Sequence, residues 1–141
     1  MSVDFIDSNV FVYLVDESDS TKHAVSRRIV DEALSSASGV ISFQVVQETL
    51  NVLTCKLKVI ARAEDAIDFM RQVLQPLWKV QPSVALYAKA MELQQRYAFS
   101  FYDSLIVAAA LEGGCKRLLT EDLQHGQRIG TSLRIENPFR A

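Results

Sequence analysis

Apolar residues in this chain fall into two kinds of pattern that alternate from end to end. Short runs of three to five read as strands, and longer stretches repeating at helical period read as helices. Val3 to Ile6 predicts a first strand, after which Ser8 and Asn9 offer capping chemistry for a helix through Val15. A polar loop, Asp16 to Ser20, leads to a helix over 22–34 with Val25, Ile29, Val30 and Ala33 inward. Ser35 to Gly39 breaks it, and Val40-Ile41 forms the centre of a second strand. Ser42 then caps a long helix whose stripe is Phe43, Val46, Leu50, Leu53 and Leu57.

A further helix over 63–74 ends at Gln75-Pro76, and Leu77 to Val80 predicts a third strand, stopped by Pro82. Ser83 caps a helix over 84–97. Ser104 to Leu111 is apolar all round and predicts a buried helix, stopped by Gly113-Gly114. Lys116 to Thr120 predicts a fourth strand and Leu133 to Ile135 a possible fifth, ended by Asn137-Pro138. Strands alternating with helices imply an α/β fold of three layers, α/β/α, around a central, mostly parallel sheet of four to five strands. At 141 residues the chain reads as one domain, 1–141.

Composition narrows the class. Hydrophobic residues are 49% and charged residues 23%, ordinary for a globular protein. No apolar stretch reaches the roughly 18 residues needed to span a bilayer, and no signal peptide is visible, which predicts a cytoplasmic protein. A net charge of −2 argues against a broadly basic nucleic-acid binder. It does not exclude a nuclease, because bound cations reverse the sign of an acidic pocket. Arg27-Arg28 and Lys56, Lys58 and Arg62 read as solvated helix faces. Cys55 and Cys115 lack metal-ligand spacing and read as plain buried residues.

The candidate chemistry lies in four carboxylates. Asp7 closes the first strand, Asp103 opens the buried helix, Asp122 follows the fourth strand and Glu48 lies mid-helix. In parallel α/β sheets ligands bind beyond the carboxyl ends of the strands, and acidic residues gathered there make an all-oxygen site for Mg²⁺ or Mn²⁺. Each has a plainer reading. Asp7 suits an N-cap or Asx-turn, Asp103 complements a helix dipole, and Asp122 is a turn aspartate beside an equally eligible Glu121. On a helical wheel Glu48 lies opposite the Phe43/Leu50 stripe, close to Val45 and Val52. Pattern alone therefore makes it an exposed glutamate on a side that these valines partly cover. His125 reads as neither ligand nor base, Trp78 as core, and Phe99, Phe101 and Tyr102 as packing before the buried helix.

Taken in order, Phe5-Ile6-Asp7-Ser8-Asn9-Val10, Gln47-Glu48, Phe101-Tyr102-Asp103-Ser104-Leu105-Ile106 and Leu118-Leu119-Thr120-Glu121-Asp122 resemble the PIN domain over essentially the whole chain. The likeness is greatest to its VapC-type branch, the toxins of type II toxin–antitoxin modules. The resemblance implies a Mg²⁺- or Mn²⁺-dependent endoribonuclease using one or two ions, held by Asp7, Glu48, Asp103 and Asp122. Asn9, Thr120 and Glu121 would support them, with Glu121 an alternative fourth ligand. It further implies RNA as substrate, 5′-phosphate and 3′-hydroxyl products, a homodimer and a cognate antitoxin protein.

Two other classes compete. A phosphoacceptor signalling domain shares the doubly wound sheet, but here the third strand ends Val80-Gln81-Pro82 without an acid, and Glu136-Asn137-Pro138 lacks the expected lysine. A non-catalytic interaction module of the same fold would leave the carboxylates without metal.

Overall fold

The computed structural model describes residues 2–140. The elements run β1 (Asp4–Ile6), α1 (Ser8–Val15), α2 (Ser20–Ser36), β2 (Gly39–Ser42), α3 (Phe43–Asn51), α4 (Ala63–Phe69), β3 (Trp78–Val80), α5 (Val84–Tyr97), α6 (Phe101–Glu112), β4 (Arg117–Leu119), β5 (Arg128–Ile129) and β6 (Leu133–Glu136). α3 continues through a π-helical turn, Val52–Lys56, and α4 through another, Met70–Leu74.

The strands form one sheet in the order β3-β2-β1-β4-β6-β5. All neighbours are parallel except β5, which runs antiparallel to β6. The α/β fold with a mostly parallel sheet is as the sequence predicts. The strand count is not, for the sheet has six strands rather than four to five. β5 is two residues long, too short to display any alternation.

Gly39 and Val40 are successive residues of β2 and therefore face opposite sides of the sheet. A Cβ on Gly39 would meet Ala33 of α2 at 2.7 Å, whereas Val40 Cγ1 lies 3.0 Å from where one on Gly113, just past α6, would sit. α2 and the end of α6 thus cover opposite faces. Between them Phe5, Ile41, Leu118 and Ile135 are wholly buried. α6 is buried from Ser104 through Ala110, as its unbroken apolar character predicts.

Two expectations are corrected. Cys55 is exposed, because it lies in the π-helical turn after α3, and Leu57 beyond it is exposed too. The buried side of α3 is Gln44, Val45, Val46 and Thr49, broader than the predicted stripe. Val45 is fully buried, so the side bearing Glu48 is covered in part.

Candidate active site

The carboxyl ends of β1, β2 and β4 open onto one region, where α1, α3 and α6 begin. β1 delivers Asp7, whose carboxylate is both the N-cap of α1 and nearly inaccessible to solvent. Its Oδ1 accepts the Ser8 amide at 2.7 Å, and its Oδ2 accepts the Thr120 hydroxyl at 2.7 Å. The capping and functional readings of Asp7 therefore coexist in one side chain. Thr120 Oγ1 also receives Asn9 Nδ2 at 3.3 Å and the Asp122 amide at 3.1 Å. Asn9 Nδ2 reaches Asp122 Oδ2 at 3.2 Å. Asp7, Thr120, Asn9 and Asp122 thus form one hydrogen-bonded chain across β1 and β4.

Glu48 is half-buried and faces the same region. Ser8 Oγ approaches its Oε1 at 3.4 Å, and Gln44 Nε2, one helical turn before it, approaches Oε2 at 3.4 Å. Gln44 Nε2 also donates to the Tyr102 carbonyl at 3.2 Å, linking α3 to the first turn of α6, where Asp103 is half-buried. The sequence marks Ser8 only as a helix cap and does not mark Gln44 at all, yet both contact Glu48. The i, i+4 spacing of Gln44 and Glu48 is the signal that would find the second.

Electrostatics tie the four acids together. Burial raises the Asp7 carboxyl to about 7, only partly offset by its bonds from Thr120 and Ser8, and the Glu48 and Asp122 charges raise it further. Glu48 is raised by burial and by the charges of Asp122 and Asp103. Asp122, at the rim, is raised by desolvation and then by Glu121 and Asp103. No cationic side chain stands among the causes acting on these three groups.

An all-carboxylate set supplemented by Asn9 and Thr120 oxygens suits a hard divalent cation in donor type and charge. Asn9 Oδ1 is buried without a hydrogen-bond partner, a further oxygen donor at the same place. As the side chains stand, no three His, Cys, Asp or Glu groups among the described residues converge closely enough to hold one ion.

A family model described as PIN domain matches residues 5–128. The chain belongs to the PIN domain family. Among solved structures, this PIN domain superposes on VapC20 of Mycobacterium tuberculosis, a sarcin-ricin loop cleaving toxin, with a TM-score of 0.61 and 19% identity, over 84% of this chain and 89% of that one. It superposes on FitAcB from Neisseria gonorrhoeae with a TM-score of 0.64 and 15% identity, over 99% of this chain and 100% of that one. At these identities the likeness is one of fold. No curated protein matches the sequence significantly.

Glu121 and Asp122 of this PIN domain adjoin in sequence but have different partners. Glu121 Oε1 accepts the Tyr13 hydroxyl at 2.6 Å and Oε2 accepts Lys22 Nζ at 2.9 Å. Lys22 also lies 4.8 Å from the centre of the Tyr13 ring. His125 instead accepts the Asn137 amide through Nδ1 at 3.0 Å. Tyr102 is 67% exposed beside Asp103, which differs from its expected packing role, while Phe99 and Phe101 do pack against the core. No helix among the described residues is long and apolar enough to cross a membrane.

Proposed function

We propose that this protein is a metal-dependent endoribonuclease of the VapC type, the toxin of a toxin–antitoxin pair, within one domain spanning 1–141. The observation that carries this reading is Asp7, a carboxylate buried without a cationic partner among Glu48, Asp122 and Asp103 at the ends of parallel strands. A buried charge so placed is costly unless a cation compensates it. The family, and the structural neighbour VapC20, a sarcin-ricin loop cleaving toxin, support the choice of RNA.

Asp7, Glu48, Asp103 and Asp122 would hold one or two Mg²⁺ or Mn²⁺ ions, which supply Lewis acidity to the scissile phosphate and lower the pKa of an attacking water. Thr120 and the Ser8 amide fix both oxygens of Asp7. Asn9 holds Asp122 against Thr120, and Gln44 steers Glu48 toward α6. Glu121, engaged by Lys22 and Tyr13, acts as a support, and Asp122 is the fourth ligand. Water attack at phosphorus that breaks the P–O3′ bond, as the family resemblance implies, leaves 5′-phosphate and 3′-hydroxyl ends. A homodimer and a cognate antitoxin complete the reading.

The test is cleavage of a labelled mixed RNA pool with Mn²⁺ or with EDTA, for wild type and Asp7→Asn purified side by side. Cleavage that requires Mn²⁺ and disappears in the variant is the expected result. Equal cleavage by both proteins, or 2′,3′-cyclic phosphate ends, would overturn the mechanism. Absence of Mn²⁺ binding by calorimetry would favour the non-catalytic module.

A further inference from the structure

The far half of the sheet carries a second concentration of charge, of opposite sign. β4, β6 and β5 are neighbours, and their register pairs Arg117 with Arg134 and Arg134 with Arg128. Three arginines therefore stand side by side across three strands. Alternation places them together on one face, while Leu118, Ile129, Leu133 and Ile135 are buried on the other. All three arginines are exposed, as is Lys116 just before β4. Together with Thr131 and Ser132 they line a depression of about 290 Å³.

Two carboxylates answer these four cations. Asp4 takes Arg117 in a fork, Nε to Oδ1 at 2.9 Å and Nη2 to Oδ2 at 2.6 Å. Glu136 accepts Arg117 Nη1 at 3.0 Å and also pairs with Arg134. Lys116 and Arg128 have no carboxylate partner among the described residues. Like charges directly opposite one another on adjacent strands are destabilising. A chain of net charge −2 thus carries here an excess of two positive charges, on Lys116 and Arg128, beside two arginines that are already ion-paired.

We propose that Lys116, Arg117, Arg134 and Arg128 form a docking site for the phosphodiester backbone of single-stranded RNA, separate from the acidic pocket. The choice of RNA as the polyanion rests on the ribonuclease reading above. Lys116 and Arg128 are free to meet phosphate, Arg128 through a guanidinium fork that matches its oxygens, while Arg117 and Arg134 are held by Asp4 and Glu136 beside them. Two strand spacings set Arg117 and Arg128 roughly 10 Å apart, a span that suits an extended polyanion rather than one compact anion. Thr131 and Ser132 add hydroxyls that can bond phosphate or ribose. No aromatic side chain lines the depression, so the contact is to backbone and independent of base sequence. The row lies at the amino end of β4, whereas Thr120 and the acidic pocket lie past its carboxyl end, roughly 10 Å further along the strand.

The experiment measures binding of a fluorescent single-stranded RNA 20-mer by anisotropy in EDTA, where no cleavage occurs. Wild type is compared with the double variant Lys116→Gln/Arg128→Gln, which removes the two cations lacking carboxylate partners. Removing two phosphate contacts should weaken binding about 10- to 30-fold at 0.1 M salt and make the slope of log K against log salt shallower by roughly 1.4. The variant's circular dichroism and thermal midpoint should match wild type. Unchanged affinity and slope, or no RNA binding by wild type, overturns the proposal. So does row-dependent binding of polyglutamate in place of RNA, which would make the row a protein contact. Asp7→Asn, run in parallel, keeps RNA binding if the row is the docking site. Row-dependent binding without any metal-dependent cleavage would sustain the docking site while removing the ribonuclease reading.

Discussion

Asp7 is the residue on which two opposing demands meet. Folding withdraws its carboxyl from water, and the only compensation is two hydrogen bonds. Its folded pKa of about 7 lies above the ordinary 3.8, so the folded state binds a proton more readily than the unfolded chain. The stability contributed by the neutral acid is full below about pH 4 and is lost as pH rises through 7, at up to about 1.4 kcal/mol per pH unit. Metal-free protein should therefore be more stable to urea at pH 5 than at pH 8 as far as this group decides, and Asp7→Asn should flatten that difference. Cleavage has the opposite pH dependence, since cation ligands must be deprotonated, and should decline below about pH 6. Substitution tells the neighbours Glu121 and Asp122 apart. Asp122→Asn should cost well over about 100-fold in metal-dependent cleavage, whereas Glu121→Gln should cost about 10- to 100-fold, as expected for a supporting group. Comparable losses in single-turnover assays would return Glu121 to the ligand set.

Elements place these residues, and the elements were unevenly legible. Asp7, Asp103 and Asp122 could be read as site candidates because each borders an apolar segment whose type the pattern reveals. Glu48 could not, because a helical wheel assumes one buried stripe, whereas α3 is covered from Gln44 round to Thr49 by the sheet and by neighbouring helices. The clamp of Tyr13 and Lys22 on Glu121 joins residues about a hundred positions apart, and periodicity carries no information on such a pairing. β5 escaped because two residues cannot show an alternation. The seating of α2 on the sheet depends on the missing side chain of Gly39, where a Cβ would come within 2.7 Å of Ala33 and 3.1 Å of Ile6. Gly39→Ala should overpack that contact and destabilise the fold by about 1–3 kcal/mol, measurable by chemical denaturation. A neutral result would mean that α2 shifts freely on the sheet.

At the scale of the whole molecule, charge is divided between an acidic end and a basic face, and a ligand of the first should be visible in global stability. A cation that binds only the folded state stabilises it by about 2.7 kcal/mol at a hundredfold excess over its Kd, and so raises the thermal midpoint with concentration. Mn²⁺ should raise the midpoint of wild type and leave Asp7→Asn nearly unmoved in differential scanning fluorimetry; equal shifts would place the ion elsewhere. The borders of the sheet matter on the same scale. One edge is β3, three residues long with Pro76 just before it and Pro82 just after. The other is the two-residue β5, which bears Arg128. Neither offers enough unpaired backbone to template a foreign strand, and proline and arginine at such positions discourage it further. Assembly with another chain is accordingly left to side chains on helices and open faces, and conversion into cross-β aggregates has no ready starting point on the folded protein.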